Sequence, residues 1–264
     1  MNRSITAIFA QLMFALVASA AFAQVTTQDV QYKQGGTTLK GMVAFDAAQK
    51  GARPAIIIVH EWWGHNEHAR NQARKYAAGG FVTFAIDMYG DGKVTTHPKD
   101  AGEFMNAVMK DPATMKARFE AAVDYLKTRP EVDATRIAAA GYCFGGSVAL
   151  TMARAGADLK AVATFHAGLK PVQGEAQAAN FHPKLLIQTG GADPMIPADQ
   201  RAAFEKEMKA AGVSYELKVY PDARHAFTNP DADKAGMAPL KYDAAADTES
   251  FAKAMAFFKA TLGK

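Results

Sequence analysis

The segment 53–60, RPAIIIVH, places β-branched apolar residues at consecutive positions. Such a run has no polar face, so as a strand it must be covered on both sides, which is the situation of a strand inside a parallel sheet flanked by helices. The same signature recurs in FVTFAID (81–87), TRIAAAGYC, LKAVATFHA and PKLLIQTGGAD. Helical patterns separate these runs: NEHARNQARKYAAGG, residues 99–110, 112–129 with Pro112 at the first helical position, 145–156, 198–211 and 244–262. Ahead of them, VTTQDVQYKQGGTTLKGMVAFDA alternates in polarity around Gly35-Gly36, as an antiparallel hairpin does. Strand–helix alternation of this kind predicts an α/β fold: a mostly parallel central sheet, helices on both faces and an N-terminal antiparallel hairpin.

With 264 residues, 49% apolar and 21% charged, the chain has enough apolar material for one core. Residues 1–23 read as a secretory signal: Arg3, an Ala-rich apolar stretch, then Ala21-Phe22-Ala23 before Gln24. The expected mature protein is residues 24–264, a single domain exported to a bacterial periplasm, with an uncleaved anchor as the alternative. Arg3 is the only charge in that segment, so its removal takes the net charge from +4 to +3. No basic stripe is dense enough for nucleic acid, and no stable membrane association is expected after cleavage. One cysteine, Cys143, cannot form an internal disulfide even in an oxidising compartment, so burial must stabilise the fold.

In open α/β sheets, ligands sit beyond the carboxyl ends of the strands. The residues just after the apolar runs are His60-Glu61-Trp62-Trp63, Asp87-Met88-Tyr89, Cys143, His166, Asp193 and His225. Gly141-Tyr142-Cys143-Phe144-Gly145-Gly146 has the form of a nucleophile elbow, in which small residues flank a reactive group on a tight strand-to-helix turn. That position sets the thiol at a helix N-terminus, which favours thiolate. A nucleophile needs a base and the base needs an orienting acid. In the chain order nucleophile, acid, histidine, the candidates are Cys143, Asp193 and His225. Asp199 and Asp222 compete for the acid, although a helix first turn and a Pro-Asp turn account for them as well.

Glu61 closes a buried strand and is read either as a solvated loop acid or as a carboxylate steering the thiol's protonation. The backbone N–H groups of Trp62 and Phe144 are candidate oxyanion donors. Trp62, Trp63, Tyr89, Phe144 and Phe227 could line an apolar pocket or belong to the core. His65 and His68 are read as the start of a solvent-facing helix. His60, His65, His68 and His166 match no compact zinc spacing, and no metal is expected. No Gly-Lys-Ser/Thr follows the glycine pairs, which excludes phosphate-loop chemistry.

Taken together, GYCFGG, HEWWG after a buried strand, GGADPMIP and RHAF, in that order over roughly residues 30–262, resemble the dienelactone hydrolase family of the α/β-hydrolase fold. The resemblance implies Cys143 as nucleophile, His225 as base, Asp193 as orienting acid, Glu61 as a partner of the resting thiol, Trp62 and Phe144 as oxyanion donors, and no cofactor. It implies a small-molecule ester or lactone substrate, cleaved through a thioester by a protein expected to be monomeric. Family members acting on dienelactones hold the substrate carboxylate with arginines. His225-Ala226-Phe227-Thr228-Asn229-Pro230 has none, and MYGDGKVTTHPKD offers Lys93 and Lys99 instead, which argues against a carboxylate-bearing lactone. The alternatives are a redox-active single-thiol periplasmic protein, a non-catalytic binding protein, and a peptidase or acyl-peptide hydrolase, the last disfavoured by the absence of a second domain.

Overall fold

A computed structural model describes residues 24–171 and 181–263. The expected signal segment, residues 1–23, lies outside them. Strands β1 (Val25–Gln34) and β2 (Thr37–Asp46) form the antiparallel hairpin, turning at Gly35-Gly36. Then follow β3 (Arg53–Val59), α1 (Glu67–Ala78), β4 (Val82–Ile86), α2 (Pro98–Met109), α3 (Pro112–Lys127), β5 (Val132–Tyr142), α4 (Phe144–Arg154) and β6 (Ala161–Phe165). The chain continues with β7 (Lys184–Gly190), α5 (Ala198–Ala210), β8 (Tyr215–Tyr220), a 3-10 turn (Ala232–Ala235) and α6 (Ala244–Leu262). The sheet is eight-stranded in the order β1-β2-β4-β3-β5-β6-β7-β8. Among the described strands, β1–β2 and β2–β4 pair antiparallel and the other pairings are parallel.

Successive side chains of a strand point to opposite faces, and the continuous apolar runs divide accordingly. Ala55, Ile57 and Val59 of β3 pack with Val82, Phe84 and Ile86 of β4 and with Met115, Phe119, Ala122 and Leu126 of α3. Their neighbours Ile56 and Ile58 face the other way, onto Tyr76 of α1 and Phe258 of α6. Both faces are buried because α2, α3, α4 and α5 cover one and α1 and α6 the other.

The helix starts follow from local chemistry. Asp111 caps α3 by accepting from the Thr114 N–H, with Pro112 at the first turn, and Asp243 caps α6 by accepting from Ala245 and Ala246. Asn66 caps α1, and His68, expected to face solvent, is buried instead. The reason is tertiary: its ring packs edge-on to Tyr142, with centroids 5.3 Å apart, and Nε2 donates to the Thr228 carbonyl at 3.1 Å.

Candidate active site

The parallel strands deliver their following residues to one edge of the sheet. Cys143 continues β5, its N–H donating to the Phe165 carbonyl at 2.9 Å, and His166 continues β6, its N–H donating to Gln188 at 2.8 Å. Cys143 adopts φ 51°, ψ −116°, a strained conformation for a residue with a side chain. The turn closes only because its flanks are glycines. A Cβ on Gly141 would lie 2.2 Å from the Gly145 carbonyl oxygen, and one on Gly145 would lie 2.3 Å from that of Val59. The other non-glycine residues with positive φ among those described are Asp91, His166 and Ala226. Cys143, His166 and Ala226 therefore concentrate backbone strain around one point, as functional sites commonly do.

His225 arrives from the loop after β8. That loop reaches the end of β7 because Gly190 leaves room for the Ala223 carbonyl, which would meet a Cβ at 2.2 Å. Pro239 and Lys241 brace it, Pro239 O accepting from the His225 N–H and the Lys241 N–H donating to His225 O. Its Nε2 lies 3.0 Å from Cys143 Sγ, and its Nδ1–H donates to Asp193 Oδ2 at 2.8 Å. The other oxygen of Asp193 accepts from the Met195 N–H, so the carboxylate is fixed at both ends. Asp199 and Asp222 are exposed and do not contact the imidazole; Asp199 sits in the first turn of α5, where its carboxylate accepts from the Gln200 N–H. Burial pulls the His225 pKa down, but the charge of Cys143 and the hydrogen bond His225 donates to Asp193 outweigh it, and the pKa is pushed up to about 10.

Glu61 is 1% exposed, and its buried surroundings exclude the solvated-acid alternative. Oε2 accepts from Asn229 Nδ2 at 2.6 Å and lies 3.5 Å from His68 Nδ1, while Oε1 is buried without a hydrogen-bond partner among the described residues. The thiol itself faces His225 in this arrangement. Asn229 and His68 hold Glu61, a role the sequence does not signal: His68 reads there as the start of a solvent-facing helix, and Asn229 is one residue of the arginine-free segment His225-Ala226-Phe227-Thr228-Asn229-Pro230. Thr228 ties the same segment to His166, whose Nε2 lies 2.9 Å from its hydroxyl.

The backbone N–H groups of Trp62 and Phe144 have no hydrogen-bond acceptor among the described residues. The Trp62 backbone is anchored from its other side, where its carbonyl accepts from the Tyr89 hydroxyl at 2.9 Å. Tyr89 is 4% exposed and packs on His60, Phe104 and Phe144, so it supports the loop more than it lines a pocket. Phe227 is fully buried between His166 and Tyr220 and backs the site. Trp63 does border open space, a cavity of about 180 Å³ that it shares with Asn66, Thr95, Asn229 and Lys234.

His60 is held as a neutral clamp. Its Nε2 accepts from the Met88 N–H at 3.2 Å, which leaves Nδ1–H to donate to the Glu61 carbonyl. Burial lowers its pKa. With both ring nitrogens engaged and His68 turned to Glu61 and Thr228, the histidines of the 60–68 stretch do not converge. Among the described residues, the ligating atoms that do meet are those of Cys143, His166 and His225, all within 4.8 Å of one another.

The profile of the dienelactone hydrolase family matches residues 39–262. A solved structure described as a dienelactone hydrolase-like promiscuous phosphotriesterase, P91, from metagenomic libraries, superposes with a TM-score of 0.86. It is 33% identical, over 90% of this chain and 99% of its own. Protein usf of Aquifex pyrophilus is 28% identical over 236 residues, 88% of this chain and 97% of its own length. The dienelactone hydrolase of Anabaena variabilis, 19% identical, shares the fold with a TM-score of 0.63 over 90% of this chain and 99% of its own.

Proposed function

The chain belongs to the dienelactone hydrolase family of α/β-hydrolases, and from that premise we propose that it hydrolyses carboxylic esters or lactones through a thioester on Cys143. The observation that carries the proposal is the continuous relay Cys143 Sγ–His225 Nε2, 3.0 Å, and His225 Nδ1–Asp193 Oδ2, 2.8 Å. A thiolate paired with an imidazolium is a ready nucleophile, and the raised pKa of His225 keeps the proton on the imidazole at neutral pH.

The chemistry then balances over two half-reactions. Sγ attacks the carbonyl carbon, and the developing oxyanion is received by the free N–H groups of Trp62 and Phe144. Loss of one such donor costs on the order of a hundredfold in rate. His225 gives its Nε2 proton to the leaving oxygen as the C–O bond breaks, and Asp193 holds the ring in the required tautomer. The neutral imidazole next takes a proton from water, whose oxygen attacks the thioester and releases the acid. Glu61 is placed to assist: its unpartnered Oε1 is an acceptor for the thiol proton when Cys143 is turned away from His225.

The substrate class is a small, uncharged ester or lactone. No arginine stands in the loop after His225 to hold a substrate carboxylate. We also propose that the protein acts after export, on the strength of Arg3 and the Ala21-Phe22-Ala23 site. A panel of aryl esters, lactones and an aryl phosphotriester (the last because P91 is described as a phosphotriesterase) tests the reading. The mature protein should turn over at least one carboxylic ester or lactone and Cys143→Ala should not, with its fold intact by circular dichroism. Equal turnover by the two proteins refutes the assignment.

A further inference from the structure

A third ligating group lies against the Cys143–His225 pair, and the hydrolytic cycle leaves it unused. His166 is fully buried, with its backbone in the left-handed region at φ 41°. Its ring stands edge-on to that of His225, centroids 5.1 Å apart. Nε2 is engaged with the Thr228 hydroxyl, while Nδ1 is buried and has no hydrogen-bond partner among the described residues. An orphaned buried nitrogen needs an explanation. When Thr228 Oγ1 accepts from Nε2–H, the orphan is a lone pair.

We infer that Cys143, His166 and His225 form a three-ligand site for one thiophilic cation of the zinc class, whose occupancy switches hydrolysis off. One thiolate and two neutral imidazoles are the donor set that suits Zn²⁺ and its relatives and not oxygen-seeking cations. Around such an ion, tetrahedral ligand atoms stand roughly 3.3–3.6 Å apart. Each of the three residues offers a ligating atom within 4.8 Å of the other two, and with Cys143 and His225 already 3.0 Å apart, side-chain rotation brings the set to that spacing. The outer layer is already in place, because Asp193 accepts from His225 Nδ1–H and so turns Nε2 toward the ion. Cys143 is partly exposed, which gives the cation a route in and leaves its fourth position to solvent. The ion takes the place of the proton shared by Sγ and Nε2, and that proton leaves to water. Binding stands on this geometry alone. Inhibition rests in addition on Cys143 being the nucleophile.

The test titrates the mature protein with Co²⁺, then displaces it with Zn²⁺, while ester or lactone hydrolysis is followed in parallel. The expected result is a thiolate-to-cobalt charge-transfer band saturating at one equivalent, bleached by Zn²⁺, with hydrolysis lost at the same occupancy and restored by chelator. Cys143→Ser abolishes the band. His166→Gln and His166→Asn, with folding checked by thermal denaturation, weaken cobalt binding at least roughly tenfold. Absence of the band in an active protein overturns the site and leaves the hydrolase standing. A band in a protein without hydrolysis keeps the site and removes the hydrolase. An undiminished affinity in both folded His166 variants removes that ligand and with it the proposal.

Discussion

His225 Nε2 meets Cys143 Sγ at 3.0 Å across 82 residues of sequence, and this contact joins a strained strand-to-helix turn to the loop after β8. The imidazole is buried, which alone would make it harder to protonate, yet the thiolate and Asp193 reverse the sign and bring its pKa to about 10. A ring-carbon NMR titration of His225 should therefore find it protonated through neutral pH, with a midpoint near 10. In Cys143→Ala and in Asp193→Asn the midpoint should fall, because each removes a partner of the charged form. Asp193→Asn should also lower turnover on the order of a thousandfold or more by allowing the wrong tautomer. A midpoint unchanged in both variants would separate the histidine from its assigned partners.

The Asn229 amide holds Glu61 Oε2, and the other carboxylate oxygen is already without a partner. Removing this donor leaves a buried acid short of hydrogen bonds, so Asn229→Ala should lose about 1–3 kcal/mol of stability, read by urea denaturation. In Glu61→Gln the side chain is neutral, and adding Asn229→Ala to it should cost clearly less. Additive losses would mean that the two side chains act independently.

The elbow tolerates no added atom at Gly145. A methyl group there would lie 2.3 Å from Val59 O and 2.6 Å from His60 O, both main-chain atoms that cannot rotate away. Gly145→Ala should push α4 and Cys143 off the sheet edge. The expected outcome is a loss of about 1–3 kcal/mol in stability and a roughly hundredfold fall in kcat/KM from a displacement of the order of 1 Å. Wild-type kinetics in this variant would remove the steric account of the turn.

Acid should weaken the fold through histidines held neutral inside it. Burial lowers the pKa of His60 and of His166 below 6.5, and that of His65 to about 4. In the unfolded chain the same rings protonate near 6.5, so below that pH the unfolded state binds more protons. Stability then rises with pH and is lost as pH falls from 6.5 toward 4, by up to about 1.4 kcal/mol per pH unit for each ring. His225, with its raised pKa, works the other way near pH 7, where only the folded state holds its proton, and stops changing the balance once pH is well below 6.5 and both states are protonated. Denaturation midpoints measured from pH 7 to pH 4.5 should decline, and His65→Gln should flatten the decline. A midpoint that does not move with pH contradicts the neutral assignments.

The sheet was legible because Ile56, Ile57 and Ile58 leave no polar side to an exposed strand, and because Gly and Pro mark the element ends. Cys143, Asp193 and His225 were legible because α/β topology sends strand ends to one edge, whatever the intervening sequence. His68 and Asn229 were not. Their importance lies in which buried carboxylate they face, a property of how α1 and the loop after His225 fold against each other. His166 was visible as a strand-end residue, but its orphaned Nδ1 and its approach to His225 depend on side-chain packing that no spacing encodes. Phe227 and Tyr89 were aromatic in the right places, yet packing turned them into supports behind the site.

Hydrolysis through a thioester requires Cys143 to carry the acyl group. Rapid quenching during hydrolysis of a slowly deacylated aryl ester, followed by intact-mass and peptide mapping, reads this directly. The predicted result is a stoichiometric mass increase equal to the acyl group, located on Cys143, sensitive to hydroxylamine and absent from Cys143→Ala. Steady turnover of the same ester with no adduct at Cys143, or with the acyl group on another residue, would contradict it.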